Sequence, residues 1–155
     1  MDMETAQNRK KRNADTMSRK TARRYAFEII YQLSFQPDLD AVSALEAYPE
    51  DNLPKINEAE RGFVIETISG VTNRLTAIDK CIAVNSEGWD IGRLNRIDLA
   101  VLRLSVYEIL YTDTPVGISV NEAVDLSKLY SGDESGRFVN AVLTKVTKQT
   151  EARNA

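Results

Sequence analysis

Residues 95–111 read NRIDLAVLRLSVYEILY, and their apolar positions (Ile97, Leu99, Val101, Leu102, Leu104, Val106, Ile109 and Leu110) fall on nearly every side of a helix. A helix apolar all round must be surrounded by others, so this stretch predicts a central, buried helix. The 155-residue chain is long enough for one core shared by all its elements, and its 7 Gly and 4 Pro leave little room for a turn-rich β architecture.

Working outward, Ala22, Ala26, Ile29, Ile30 and Leu33 recur at steps of three and four in SRKTARRYAFEIIYQLSFQ (18–36), with Thr16 or Ser18 as the cap. Pro37, Pro49 and Pro54 bracket DAVSALEAY (40–48), a helix of about two and a half turns. Asn57 and Glu60 open a longer pattern in which Val64, Ile68, Val71, Leu75, Ile78 and Ile82 keep a heptad-like stripe, predicting one continuous helix. Beyond Pro115 and Gly117, the pair Ser119 and Glu122 has capping-box spacing before VNEAVDLSKLY (120–130). Gly132 suits that helix's C-terminus, and Ser135 caps GRFVNAVLTKVTKQ (136–149). The expected architecture is all-α, a compact bundle of six to seven helices in two helical halves, about 17–84 and 89–150. Residues 1–16 are expected as a flexible basic tail and 151–155 as a C-terminal tail, with Trp89 plugging the two halves together.

The composition narrows function. Histidine is absent, which removes the usual general base, zinc ligand and partner of a Ser or Cys nucleophile. Carboxylate pairs at Glu50/Asp51, Glu58/Glu60 and Asp133/Glu134 lie in no Gly-rich or apolar pocket motif and read as solvated helix ends. The single cysteine, Cys81, lies on an apolar stripe as a buried, inert thiol. These features predict no catalytic residue, no metal and no cofactor. No apolar run reaches the roughly eighteen residues of a membrane span, and no signal peptide is evident, so a cytoplasmic protein is expected.

Charge is unevenly placed. Residues 1–24 carry eight basic side chains against three acidic ones, and the rest carries twelve basic against twenty acidic. Four of the basic residues, Arg19, Lys20, Arg23 and Arg24, occupy the first turn and a half of a helix, where they oppose the macrodipole. An anionic ligand explains that placement, and a basic segment on an acidic body is the footprint of nucleic-acid binding.

Three stretches resemble the NusB family: MSRKTARRYAFEIIYQ (17–32), with its Arg-rich start and Ile30-Tyr31-Gln32; WDIGRLNRIDLAVLRLSVYEILY (89–111), with Asp98, Leu102, Arg103, Tyr107 and Glu108; and ISVNEAVDLSKLYSGDESGRFVNAVLTKV (118–146), with Asn121-Glu122-Ala123 and the run from Phe138 to Leu143. The resemblance implies an all-α fold of two subdomains and no catalysis. It also implies binding of the boxA element of nascent ribosomal RNA leader, a complex with the ribosomal protein NusE, and a place in an antitermination complex with RNA polymerase.

Carried over by position, the resemblance implies that Arg19, Lys20, Arg23 and Arg24 neutralise phosphates. Tyr130 and Phe138 would present rings to unstacked bases, with Glu134 accepting from a base amino group and Arg137 beside it. Core packing is the alternative for both rings. Tyr31 and Asp98 match positions that meet NusE, although Asp98 also suits a helix cap. The sequence departs from the family at Arg24, where Glu is common, and at Ala141, where Gly is common. The competing function is a helical adaptor or homodimer without RNA, using apolar positions of the 95–111 helix.

Overall fold

A computed structural model of the chain describes residues 19–38, 40–47, 58–88 and 90–154. The expected basic tail, the caps at Thr16, Ser18 and Asn57, Pro49 and Pro54, and Trp89 lie outside those residues. Among the described residues the chain is helical without strands. The helices are α1 (19–33), α2 (Ala41–Glu46), α3 (Glu58–Asn73), α4 (Leu75–Val84), α5 (Arg96–Tyr111), α6 (Val116–Tyr130) and α7 (Asp133–Asn154), with a 3-10 turn at Ile91–Arg93.

The quoted stretch is the axis of the molecule. Every α5 residue from Asp98 to Ile109 except Arg103 is buried, and α3, α4, α6 and α7 all pack on it. Asn95 starts the helix by accepting from the Ile97 amide at 2.8 Å, satisfying one of the orphan donors of the first turn. The cap is thus Asn95, and Asp98 is left for another role. Buried side chains from α1, α3, α4, α5, α6 and α7 join in one core that includes Phe27, Ile30, Ile68, Ile82, Leu102 and Leu143. Each such side chain contributes roughly 1.5–3 kcal/mol by leaving water.

Four boundaries differ from expectation. The heptad-like stripe from Val64 to Ile82 is not one helix: Arg74 leaves helical geometry at φ −118° and ψ 19°, and its amide is shared between the Gly70 and Val71 carbonyls. A one-residue break leaves the stripe's spacing intact, so periodicity does not report it. Ser119 does not cap α6. Pro115, whose missing N–H costs nothing at a helix start, opens the helix instead, and the Ser119 amide bonds the Pro115 carbonyl at 3.2 Å. Nor does Ser135 cap α7; its hydroxyl donates to Ser131 Oγ at 2.8 Å. The helix begins at Asp133, directly after Gly132, whose φ of +125° is left to glycine. Finally, the expected C-terminal tail is helical through Asn154, as an exposed extension of α7.

One close approach fixes how α3 crosses α5. A Cβ at Gly70 would lie 2.4 Å from two ring carbons of Tyr107, which is itself 6% exposed. Only the absence of a side chain lets the two helices meet there.

Candidate nucleic-acid interface

The four expected phosphate-binding cations all lie on α1, but the fold uses them differently. Arg23 is buried; its Nε and Nη2 donate to the two carboxylate oxygens of Glu108 at 2.8 and 3.0 Å, and the Ser119 hydroxyl adds a third bond to Glu108 at 3.1 Å. This is an internal ion pair sealed between α1, α5 and α6, out of reach of RNA phosphates, and it corrects the expected role of Arg23. Arg24 is half-buried and donates to the Tyr130 hydroxyl at 3.3 Å. Arg19 pairs with Glu60 and lies 4.2 Å over the Phe63 ring, while about half of its side chain stays in solvent. Lys20 is the most open of the four, 3.9 Å from Glu122.

Tyr130, at the end of α6, joins the α1 network. Its hydroxyl donates to Glu28 at 2.5 Å, and its ring lies 4.8 Å from that of Phe27. Burial first, and then the Glu28 hydrogen bond, push its phenol above the ordinary value of 10. The ring is therefore held by packing on one side and carries a polar edge on the other.

Three of the remaining expected residues, Asp98, Glu134 and Phe138, meet at a cleft of about 390 Å³ between the start of α5 and the start of α7. Arg93, Leu94, Asn95 and Asp98 form one side; Ser131, Glu134, Ser135 and Phe138 form the other. Phe138 is half-buried, and Glu134 and Arg93 are exposed. Arg137 is also exposed but is not part of the lining. Asp98, expected at a partner surface, sits here with residues expected for RNA. It is 6% exposed, and its Oδ1 has no hydrogen-bond partner among the described residues.

That burial raises the Asp98 carboxyl above its ordinary 3.8, against a smaller lowering by the neighbouring Ser135 side chain. A raised folded-state value means that the folded protein holds this proton more tightly than the unfolded chain. The contribution to stability is present below the unfolded pKa and is lost as pH rises through the folded one. Asp98→Asn is therefore expected to raise the melting temperature at pH 7 and to leave it unchanged near pH 3. Equal melting temperatures at pH 7 would show that the carboxylate is already solvated.

Tyr31 lies apart from the cleft lining, half-buried on α1 in edge contact with the exposed Phe35 at 5.3 Å, and Arg96 stands 5.7 Å over the Phe35 ring. Sequence reasoning missed Phe35, Arg93, Arg96 and the Glu108 pairing. Glu108 had a signal: a carboxylate inside an otherwise apolar helix needs a buried cation. Arg103 follows the same rule, bonding Asp79 twice at 2.9 Å. Cys81 is half-buried, and burial pushes its thiol upward, so the reactive thiolate is disfavoured. Among the described residues no group of three or more His, Cys, Asp or Glu side chains could hold a metal ion, and no helix is long and apolar enough to cross a membrane.

These helices and this cleft define an all-α protein of a known kind. T. maritima NusB has the same fold at a TM-score of 0.75 and 31% identity, covering 84% of this chain and 90% of that one. A structure of antitermination factors NusB and NusE in complex with dsRNA gives a TM-score of 0.75 at 26% identity, covering 86% and 98%. The transcription antitermination protein NusB of Acetivibrio thermocellus is 39% identical over 136 residues, covering 85% of this chain and 90% of its own. Residues 20–148 match the NusB family, and the chain belongs to it.

Proposed function

We propose that this protein is a non-catalytic antitermination factor that binds the boxA element of nascent ribosomal RNA leader together with NusE, in a complex with RNA polymerase. The observation that carries the reading is the family match across residues 20–148. A solved relative of the same fold in complex with NusE and RNA supports it.

In this reading Arg19 and Lys20 supply the phosphate contacts that α1 leaves open, and Arg24 adds its free edge beside Tyr130. Phe138 and Glu134 contact bases within the cleft, with Arg137 flanking them. Tyr31, with Phe35 and Arg96 beside it, faces NusE. The adaptor or homodimer reading draws on one observation: all four α1 cations already have partners inside the protein, at Glu60, Glu122, Glu108 and Tyr130.

Titration of boxA-containing and scrambled single strands at two salt concentrations, with and without NusE, separates the two. Preference for boxA in the presence of NusE is expected. Arg19→Ala with Lys20→Ala should flatten the salt dependence by about 0.7 logarithmic units per lost phosphate contact. Equal binding of scrambled RNA with NusE present overturns the boxA reading, and an unaltered slope leaves the adaptor standing.

A further inference from the structure

We infer that Glu28 is a positioning residue for RNA binding: its carboxylate accepts the Tyr130 hydroxyl and thereby fixes that ring and the end of α6 beside the cations of α1. The inference rests on the RNA-binding reading and adds to that surface a residue whose own charge opposes the ligand.

Four residues along a helix advance about 6 Å and return to nearly the same side, so Lys20, Arg24 and Glu28 form one stripe on α1. Charge alone predicts that a carboxylate in line with two cations weakens the hold on a polyanion. The fold gives it another use. Helix α6 lies along the same stripe, where Lys20, Arg23 and Arg24 share a small pocket with Glu122, Asp125, Leu126 and Leu129. Tyr130 follows as the last residue of α6. Its hydroxyl donates to Glu28 Oε1 at 2.5 Å and accepts from Arg24 Nη2 at 3.3 Å, so one turn of α1 holds it from both sides. Phe27 backs the ring at 4.8 Å, and the Arg24 guanidinium lies 5.9 Å from the ring centroid.

The sense of the pair is fixed by its chemistry. Burial and the Glu28 bond both keep the phenol above 10, so at neutral pH the hydroxyl donates and the carboxylate accepts. Arg24 cannot stand in for Glu28, because a guanidinium only donates. Without an acceptor at position 28 the hydroxyl proton loses its partner on α1, and the ring is tied at one side only. Tyr130 adjoins Ser131 and Gly132, which lead into α7, so the same bond steadies the turn between the last two helices. A ring and turn already in place spare the RNA the cost of ordering them.

The test titrates a boxA-containing single strand against the full chain with NusE present. Glu28→Ala should bind about threefold to tenfold more weakly than wild type, the cost of ordering one freed side chain. Electrostatics alone predicts the opposite sign, tighter binding once a negative charge is gone. Glu28→Gln keeps an acceptor and loses the charge, so it should bind at least as tightly as wild type. In a Tyr130→Phe background, which has no hydroxyl to hold, Glu28→Ala should cause no further weakening. Thermal unfolding identifies the temperatures at which each variant is folded. Should Glu28→Ala not fold, Tyr130→Phe alone must show the loss, since it leaves the α1 side chains in place. Unchanged or tighter binding by Glu28→Ala overturns the inference, as does wild-type affinity in Tyr130→Phe. A weakening that Gln does not restore, or that persists without the Tyr130 hydroxyl, also overturns it. Failure of wild-type protein to bind any RNA overturns the RNA reading and the inference with it.

Discussion

Arg23→Ala is expected to lower the unfolding free energy by about 3–5 kcal/mol, because it leaves a buried carboxylate without its cation. The Arg23 and Glu108 side chains are 8% and 2% exposed, and after truncation the Ser119 hydroxyl would be the partner left on the carboxylate among the described residues. Coulomb attraction between exposed groups would be worth far less, about 0–1 kcal/mol, and Arg19→Ala should fall in that lower range, since 47% of its side chain is solvent-exposed. Replacing both partners, as in Arg23→Met with Glu108→Leu, should recover most of the loss, because the desolvation cost disappears with the charges. Urea unfolding gives the stabilities. A loss below about 1 kcal/mol for Arg23→Ala would mean that water reaches the pair. The same variant bears on function: where it remains folded, its RNA binding should keep the wild-type salt slope, unlike the Arg19 and Lys20 pair.

Phe27→Ala should cost a comparable 3–5 kcal/mol, in this case through a cavity. Phe27 is 2% exposed and sits on α1 directly beneath Tyr130, 4.8 Å between ring centroids. The loss should lower the melting temperature by roughly 10–20 °C. It should also release Tyr130 from its backing, so RNA affinity falls even at temperatures where the variant is folded, whereas Phe27→Leu keeps most of the volume and should retain both. Thermal unfolding and RNA titration read the two effects separately. A shift under roughly 5 °C would show that α6 and α7 close over the space.

Local periodicity carried much of the architecture. The all-round apolar face of residues 97–110 announced a buried helix, and Asp98 to Ile109 are buried apart from Arg103. Helix ends were less legible because two signals compete at each. Ser119 and Glu122 have capping-box spacing, but Pro115 starts α6 first, and Ser119 is drawn inward to Glu108. The α3–α4 break at Arg74 left the apolar spacing undisturbed and so could not be read.

For the candidate site, residue type was a better guide than residue fate. Charge counting grouped Arg19, Lys20, Arg23 and Arg24 as equivalents, yet Arg23 shares a face with Phe27 and Ile30 and follows them into the core. Asp98 and Phe138 stand forty residues apart, and nothing local says that they line one cleft.

By itself the sequence determined that the chain is helical, which helix is central, where the positive charge concentrates, and which family it resembles. These follow from composition and spacing, which act within a few turns of chain. Only the tertiary structure decided which cations are spent on internal carboxylates and which face solvent, and that Asp98 keeps an unpaired oxygen inside a cleft. Pairing and burial depend on helices far apart in sequence, and a side chain's electrostatic role is set by what the fold places against it.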